Sequence, residues 1–365
     1  MLRTVRSKRG HGTGFSENNS TFSDCLNGGP VNINITTTRL PDYDPKKYYP
    51  ASVGETIARR YRIISKLGWD TTRSVRPSLY EEVEMSRYIS QLRSNQKGRA
   101  YVRLHLYLVF EPLREPLWLL GKHLGSNGVP PAVLKPFLRL LLQGLDFLHS
   151  ECHIIHTDLK ADKFLLGFED SDVLENYARQ QESNPAPFRD NDSHPVFQSR
   201  PDFGPLRKGM GRVQISDFSA PHNHDIQPQP FCAPEVLLKA TWTYSADIWN
   251  LGTMLWELLA DDIFFDGLDS RSGRYSRVKH IAQMIRLLGP PPLHMLRTLL
   301  RPWYNFKFPD IVPSEKYNLS NLTPFVHGED KRLLLEFVGK MLRWEPADRA
   351  TARELYNDPW LDFKP

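Results

Sequence analysis

The chain has 365 residues, 40% of them hydrophobic and 24% charged, enough apolar material for about two domain-sized units or one large two-lobed domain. Its 47 basic and 42 acidic residues leave a net charge of +5 spread thinly along the sequence, which argues against a nucleic-acid binder. Three cysteines without a CxxC pair exclude a disulfide framework and a zinc site.

Residues 1–40 are rich in Ser, Thr, Asn and Gly and are predicted to be a disordered, basic and polar tail, with no apolar core for a secretory signal. Folding is predicted to begin near Tyr43. YRIISKL, Tyr61–Leu67, alternates around β-branched residues and predicts a strand that ends at Gly68. Leu79, Val83, Met85 and Ile89 predict a helix over Leu79–Leu92, and Leu106–Phe110 predicts a buried strand that stops before Glu111 and Pro112. Leu134, Phe137, Leu138, Leu141, Leu142, Leu145 and Leu148 then follow the spacing of a core-facing helix. That stretch is interrupted by Lys135, Arg139, Gln143 and Asp146, well short of the roughly 20 apolar residues of a membrane span. The second half is predicted to be mostly helical, with patterns resuming at Ala246, Arg277, Lys331 and Thr351. Residues 168–211, full of acids, prolines and glycines, are predicted to be a surface insertion.

The segment HIIHTDLKADKFLLG, His153–Gly167, sets His156, Asp158, Lys160 and Lys163 at the spacing HxDxKxxN, with Lys163 in the place of Asn. Downstream follow ISDFS with Asp217 and Phe218, then Ala233, Pro234 and Glu235 as APE, then SADIWNLG with Asp247, then RWEPADRA with Arg349. In this order the motifs resemble those of the protein kinase superfamily. The resemblance implies an α+β, two-lobed protein-kinase-like fold, with a truncated small β-rich N-lobe over 41–113 and a large, mainly helical C-lobe over 114–365. It also implies an ATP-dependent serine/threonine protein kinase. Asp158 would accept the proton of the attacking hydroxyl, Lys160 would neutralise the transferring phosphate and Asp217 would hold Mg2+. ATP would contact Gly68, Val75, Glu84, Glu111 and Leu113, whereas His156, Glu235, Asp247 and Arg349 would be structural.

YDPKKYYPASVGETIARRYRIISKLGW, HNHDIQPQPFCAPEVLL, WTYSADIWNLG and LLGPPP resemble the SR-protein kinases in particular, and LVFEPLREPLWLL and DFGPL resemble their fungal members. These enzymes phosphorylate serines of Arg/Ser-rich splicing factors. The resemblance thus implies a protein substrate of that kind, no direct nucleic-acid or membrane partner, a monomer, and a cytoplasmic or nuclear location.

Several positions depart from the family pattern. Only eight residues, RPSLYEEV, separate Val75 from Glu84, too few for a third strand, so the lysine that should pair with Glu84 and hold the phosphates is absent. Asp70 stands at the second position of the glycine loop, Ser219 replaces the glycine after Phe218, and Cys232 replaces the usual arginine before APE. Lys163 puts a cation where a neutral metal ligand belongs, which predicts weak magnesium binding, and a contact of its ammonium with the phosphates would replace the cation lost with the third strand. The alternative reading is therefore a pseudokinase, or a truncated gene product, acting only as a binding scaffold. The segment that would line the substrate groove, YSRVKHIAQMIRLLG, carries Lys279, His280 and Arg286 and is predicted to be locally basic, with Asp261, Asp262 and Asp266 nearby.

Overall fold

The computed structural model describes residues 53–57, 61–66, 88, 91, 96, 112–189, 196–206, 209, 211–218, 226–269, 272–295 and 312–362. Gly68, Val75, Glu84, Glu111, Ser219 and the strand predicted over Leu106–Phe110 lie outside them. The chain divides into two compact units, one of Met1–Arg76 and Phe168–Gly204, the other of Pro77–Gly167 and Pro205–Pro365. In chain order the strands and α-helices are β1 (Thr56–Ile57), β2 (Tyr61–Arg62), α1 (Leu120–His123), α2 (Pro131–Ser150), β3 (Phe164–Leu166), α3 (Ser171–Ser183), β4 (Phe188–Arg189), β5 (Val196–Phe197), β6 (Val213–Ile215), α4 (Pro234–Leu237), α5 (Ser245–Ala260), α6 (Arg277–Leu288), α7 (Gly328–Met341) and α8 (Ala352–Tyr356).

In the first unit β1 and β2 form an antiparallel hairpin with Thr56 opposite Arg62. The strand predicted over Tyr61–Leu67 ends early because its backbone partners change. Ile63 still donates to the Glu55 carbonyl, but the carbonyl of Lys66 accepts from the Arg200 amide at 2.8 Å. The stretch predicted to be a surface insertion contains α3, which is capped by Asp170 accepting from the Val173 amide at 3.1 Å. Val173 and Tyr177, one turn apart, bury one face of α3 against Phe203, whose ring centroid lies 4.7 Å from that of Tyr177. Arg200 ties the unit together by donating to Gln181 Oε1 at 3.1 Å and to the Asn184 carbonyl at 2.5 Å.

The second unit is built on α2 and α5. Pro131 opens α2 at its first helical position, where a missing N–H costs nothing, and the seven apolar residues picked out by spacing are all buried. Helix α5 is buried on every side, with Trp249, Leu251, Met254, Leu255, Trp256 and Leu258 packed around its axis, so it runs through the core rather than along its surface. Strands β3 and β6 pair antiparallel with Phe164 opposite Ile215 and Leu166 opposite Val213. At their far end Gly211 meets Gly167 so closely that a Cβ on Gly211 would collide with the Gly167 carbonyl.

Helix α6 corrects one expectation. His280, counted in the sequence as a basic groove residue, is fully buried. Its ring centroid lies 5.2 Å from that of Phe265, and its Nδ1 is 2.8 Å from the Tyr275 hydroxyl, which also donates to the Gln229 carbonyl at 3.2 Å. Burial lowers its pKa from the usual 6.5 to about 3, so at neutral pH it adds no charge to the groove. The unfolded chain then binds a proton that the folded chain refuses, so this contribution to stability is complete above pH 6.5 and is lost as pH falls towards 3. Between pH 7 and 5 the loss from this residue is expected to be about 2 kcal/mol. Urea unfolding at the two pH values checks it: a His280→Asn variant should show a smaller fall than the wild type, and equal falls contradict the assignment. Asp262 and Asp266 bend the loop ahead of α6, accepting from the Ile263 and Leu268 amides respectively, and Asp266 also accepts from Gln283 Nε2 at 2.7 Å.

Candidate active site

The loop from His156 to Lys163 is held from below by Asp247, in the first turn of α5. Its buried carboxylate accepts from the His156 amide at 2.7 Å, the Thr157 amide at 3.0 Å and His149 Nε2 at 2.9 Å. Thr157 sits at φ 64°, a left-handed conformation that costs a β-branched residue free energy, and these bonds hold it there. His156 is buried and donates from Nε2 to the Ser216 carbonyl at 3.0 Å, while its ring packs 5.2 Å from Phe218. The His156 imidazole thereby joins the loop to the segment carrying Asp217.

Past Asp158 the chain makes a short 3-10 turn, Ala161–Lys163, closed by the Lys163 amide donating to the Lys160 carbonyl at 2.9 Å. The turn brings Lys163 inwards. Its carbonyl accepts from both the amide and the hydroxyl of Ser216, at 2.9 and 3.0 Å, which is the continuation of the β3–β6 pairing. Its ammonium, only 4% exposed, lies 3.1 Å from Asp158 Oδ2 and donates to Asp217 Oδ2. Asp217 is itself in the left-handed region, at φ 67°. Asp158 is 30% exposed, and Lys160 Nζ stands 4.0 Å from its Oδ2. Leu113 is buried, and beside it the Arg114 amide donates to the Leu166 carbonyl at 2.7 Å, tying this stretch to β3.

The remaining sequence-predicted residues form a separate structural pair. Arg349 donates two hydrogen bonds of 2.6 Å to the two oxygens of Glu235, both side chains being 0–1% exposed. Its guanidinium also lies 5.0 Å over the Trp249 ring. Two residues not singled out in the sequence complete this region. Gln227 donates to the Ala246 carbonyl and to Asn250 Oδ1 and accepts from the Ala233 amide, and Asn250 donates to the Phe231 carbonyl. Cys232 is buried beside them, its sulfur 3.6 Å from the carbonyls of Gln227 and Pro228.

The family that the sequence resembles uses ATP with magnesium, so the fit of that ion to these residues can be tested. Magnesium demands about six oxygen ligands in near-octahedral array. Position 163 offers instead an ammonium, which has three donors and no acceptor. The formal charges of Asp158 and Asp217 total −2 and those of Lys160 and Lys163 total +2, so the four side chains sum to zero and present no net attraction for a dication. The residues present do not fit a magnesium ion.

Residues 202–361 match the protein kinase domain family. A serine/threonine protein kinase of Aspergillus fumigatus is 31% identical over 374 aligned positions, which span 90% of this chain and 91% of that one. The serine/threonine-protein kinase SRPK of Physarum polycephalum is 27% identical over 88% of this chain and 90% of its own. Protein kinase dsk1 of Schizosaccharomyces pombe is 25% identical over 88% and 84%. The crystal structure of a kinase domain aligns with a TM-score of 0.58 at 18% identity, covering 87% of this chain and all of that one, which speaks for the fold alone. With its α+β kinase fold and relatives that include SR-protein kinases, the chain belongs to the serine/threonine protein kinase family.

Proposed function

We propose that this chain is a silenced member of the family, a pseudokinase that binds protein partners and has lost magnesium-dependent phosphoryl transfer from ATP. The observation that carries the reading is the Lys163 ammonium seated between Asp158 and Asp217. Asp158 in the role of base must accept a proton from a substrate hydroxyl. One of its oxygens is instead engaged by a buried cation at 3.1 Å. Removing one group that stabilises transition-state charge commonly costs about 3–4 kcal/mol, a factor of about 100–1000 in rate. Here the metal ligand at position 163 and, from the sequence, the third-strand lysine have both gone.

The SR-protein kinases among its relatives support Arg/Ser-rich splicing factors as the partner class, met by a monomer in the cytoplasm or nucleus. No helix among the described residues is long and apolar enough to cross a membrane. The test uses radiolabelled ATP with magnesium and an Arg/Ser-repeat peptide. Wild type is expected to transfer no more label than Asp158→Ala while still binding the peptide, with affinity falling as salt rises. Transfer that depends on Asp158 would restore the active-kinase reading, in which the Lys163 charge stands in for the metal.

A further inference from the structure

We infer that Lys163 is a built-in counter-ion, which takes the structural place of a divalent metal and holds Asp217 against the loop that carries Asp158. The inference deepens the pseudokinase reading and rests on the same site, but it concerns what assembles that site rather than what the site transfers.

Four observations point the same way. The ammonium is almost wholly buried and engages one carboxylate from each side of the site. A lone buried cation there would be strongly disfavoured, and so would two facing carboxylates, so each charge requires the others. The backbone of the same residue repeats the attachment, because the Lys163 carbonyl accepts both the amide and the hydroxyl of Ser216, the residue before Asp217. Asp217 is in a left-handed conformation that needs external support. Phe218, the residue after it, is buried against His156, so the segment is anchored on both sides of the carboxylate that Lys163 grips.

This arrangement favours a structural role for Lys163 over a contact with substrate phosphates. Its ammonium is already paired with two carboxylates and has little exposed surface, and the four neighbouring charges cancel. Lys160, with 32% of its side chain exposed, is the cation left to face solvent. Lys163 stands between the two aspartates, in the place that a dication would take. Restoring a neutral amide at 163 leaves −2 from the aspartates and +1 from Lys160, a net −1 that favours a dication.

The experiment follows thermal unfolding of the full chain, without nucleotide, in EDTA and in millimolar MnCl2. Wild type is expected to melt at the same temperature in both. Lys163→Asn is expected to melt about 5–10 °C lower in EDTA and to recover part of that loss with manganese. A wild type that gains as much from manganese as the variant overturns the inference, as does a variant that melts like wild type in EDTA. If Lys163→Asn does not fold, manganese titration of wild type followed by electron paramagnetic resonance decides. No saturable binding is expected, and binding that Asp217→Asn abolishes overturns the inference. Because no nucleotide enters these measurements, phosphoryl transfer by wild type would refute the pseudokinase reading alone, and a manganese response would refute the counter-ion alone.

Discussion

Arg349→Ala is expected to lower the free energy of unfolding by about 3–5 kcal/mol, a large share of what a domain of this kind possesses. The guanidinium makes two parallel, buried 2.6 Å bonds to Glu235 and further, part-buried bonds to the Arg343 and Ser245 carbonyls. Its removal leaves a buried carboxylate with no compensating charge, and that penalty, rather than the worth of the pair, dominates the loss. Glu235 lies in α4 and Arg349 follows α7, 114 residues later in sequence, so the pair staples the segment after the active site to the end of the unit. The double variant Glu235→Gln, Arg349→Ala should lose less than the sum of the two single losses, because neither side is then left charged and alone. Chemical denaturation of the four proteins measures this. A single-variant loss below about 1 kcal/mol would place the pair among exposed bridges of little worth.

Asp247→Ala is expected to cost a similar amount, about 3–5 kcal/mol, through a different mechanism. The carboxylate is the acceptor for two adjacent backbone amides, His156 and Thr157, and for His149. Each buried donor left without a partner costs about 1–3 kcal/mol, and Thr157 also loses the support for its left-handed backbone. Because those amides open the loop carrying Asp158, the damage should be local as well as global. Hydrogen exchange should accelerate at residues 156 and 157 in Asp247→Ala, and Asp247→Asn, which keeps one acceptor oxygen, should fall between the two. Unchanged protection at these amides would contradict this role.

Much of this was legible in the sequence because the relevant motifs encode contacts as well as chemistry. The resemblance of the segments around His156, Asp158 and Asp217 to family motifs pointed to the loop and its partner segment, and the same resemblance set Glu235 and Arg349 apart as structural. The three-four spacing from Leu134 onwards gave the buried face of α2 directly. Other features were hidden for physical reasons. Helix α3 is polar over most of its surface, and the spacing of Val173 and Tyr177 was masked by the prolines and glycines that follow. His280 reads as a basic residue until its neighbours are known, since a single histidine on a helix does not declare which face it occupies. Lys163 stood out as an anomaly, yet its partner Asp217 lies 54 residues away and comes within reach only through the 3-10 turn and the β3–β6 register. Gln227 and Asn250 carried no signal, because a polar side chain in a loop or helix is ordinary until its bonds to Ala246, Phe231 and Ala233 are seen.

The most direct test of the account is a thermal-shift titration of the purified protein with ATP, run with magnesium and with EDTA. A ligand that binds only the folded state at a hundred times its Kd adds about 2.7 kcal/mol of stability, so binding cannot pass unseen. The account predicts no magnesium-dependent rise in melting temperature up to millimolar ATP, because the charge that magnesium would supply is already provided by Lys163. A rise that grows with ATP only when magnesium is present would contradict it, showing that the two aspartates still accept the metal and that the site remains that of a working kinase.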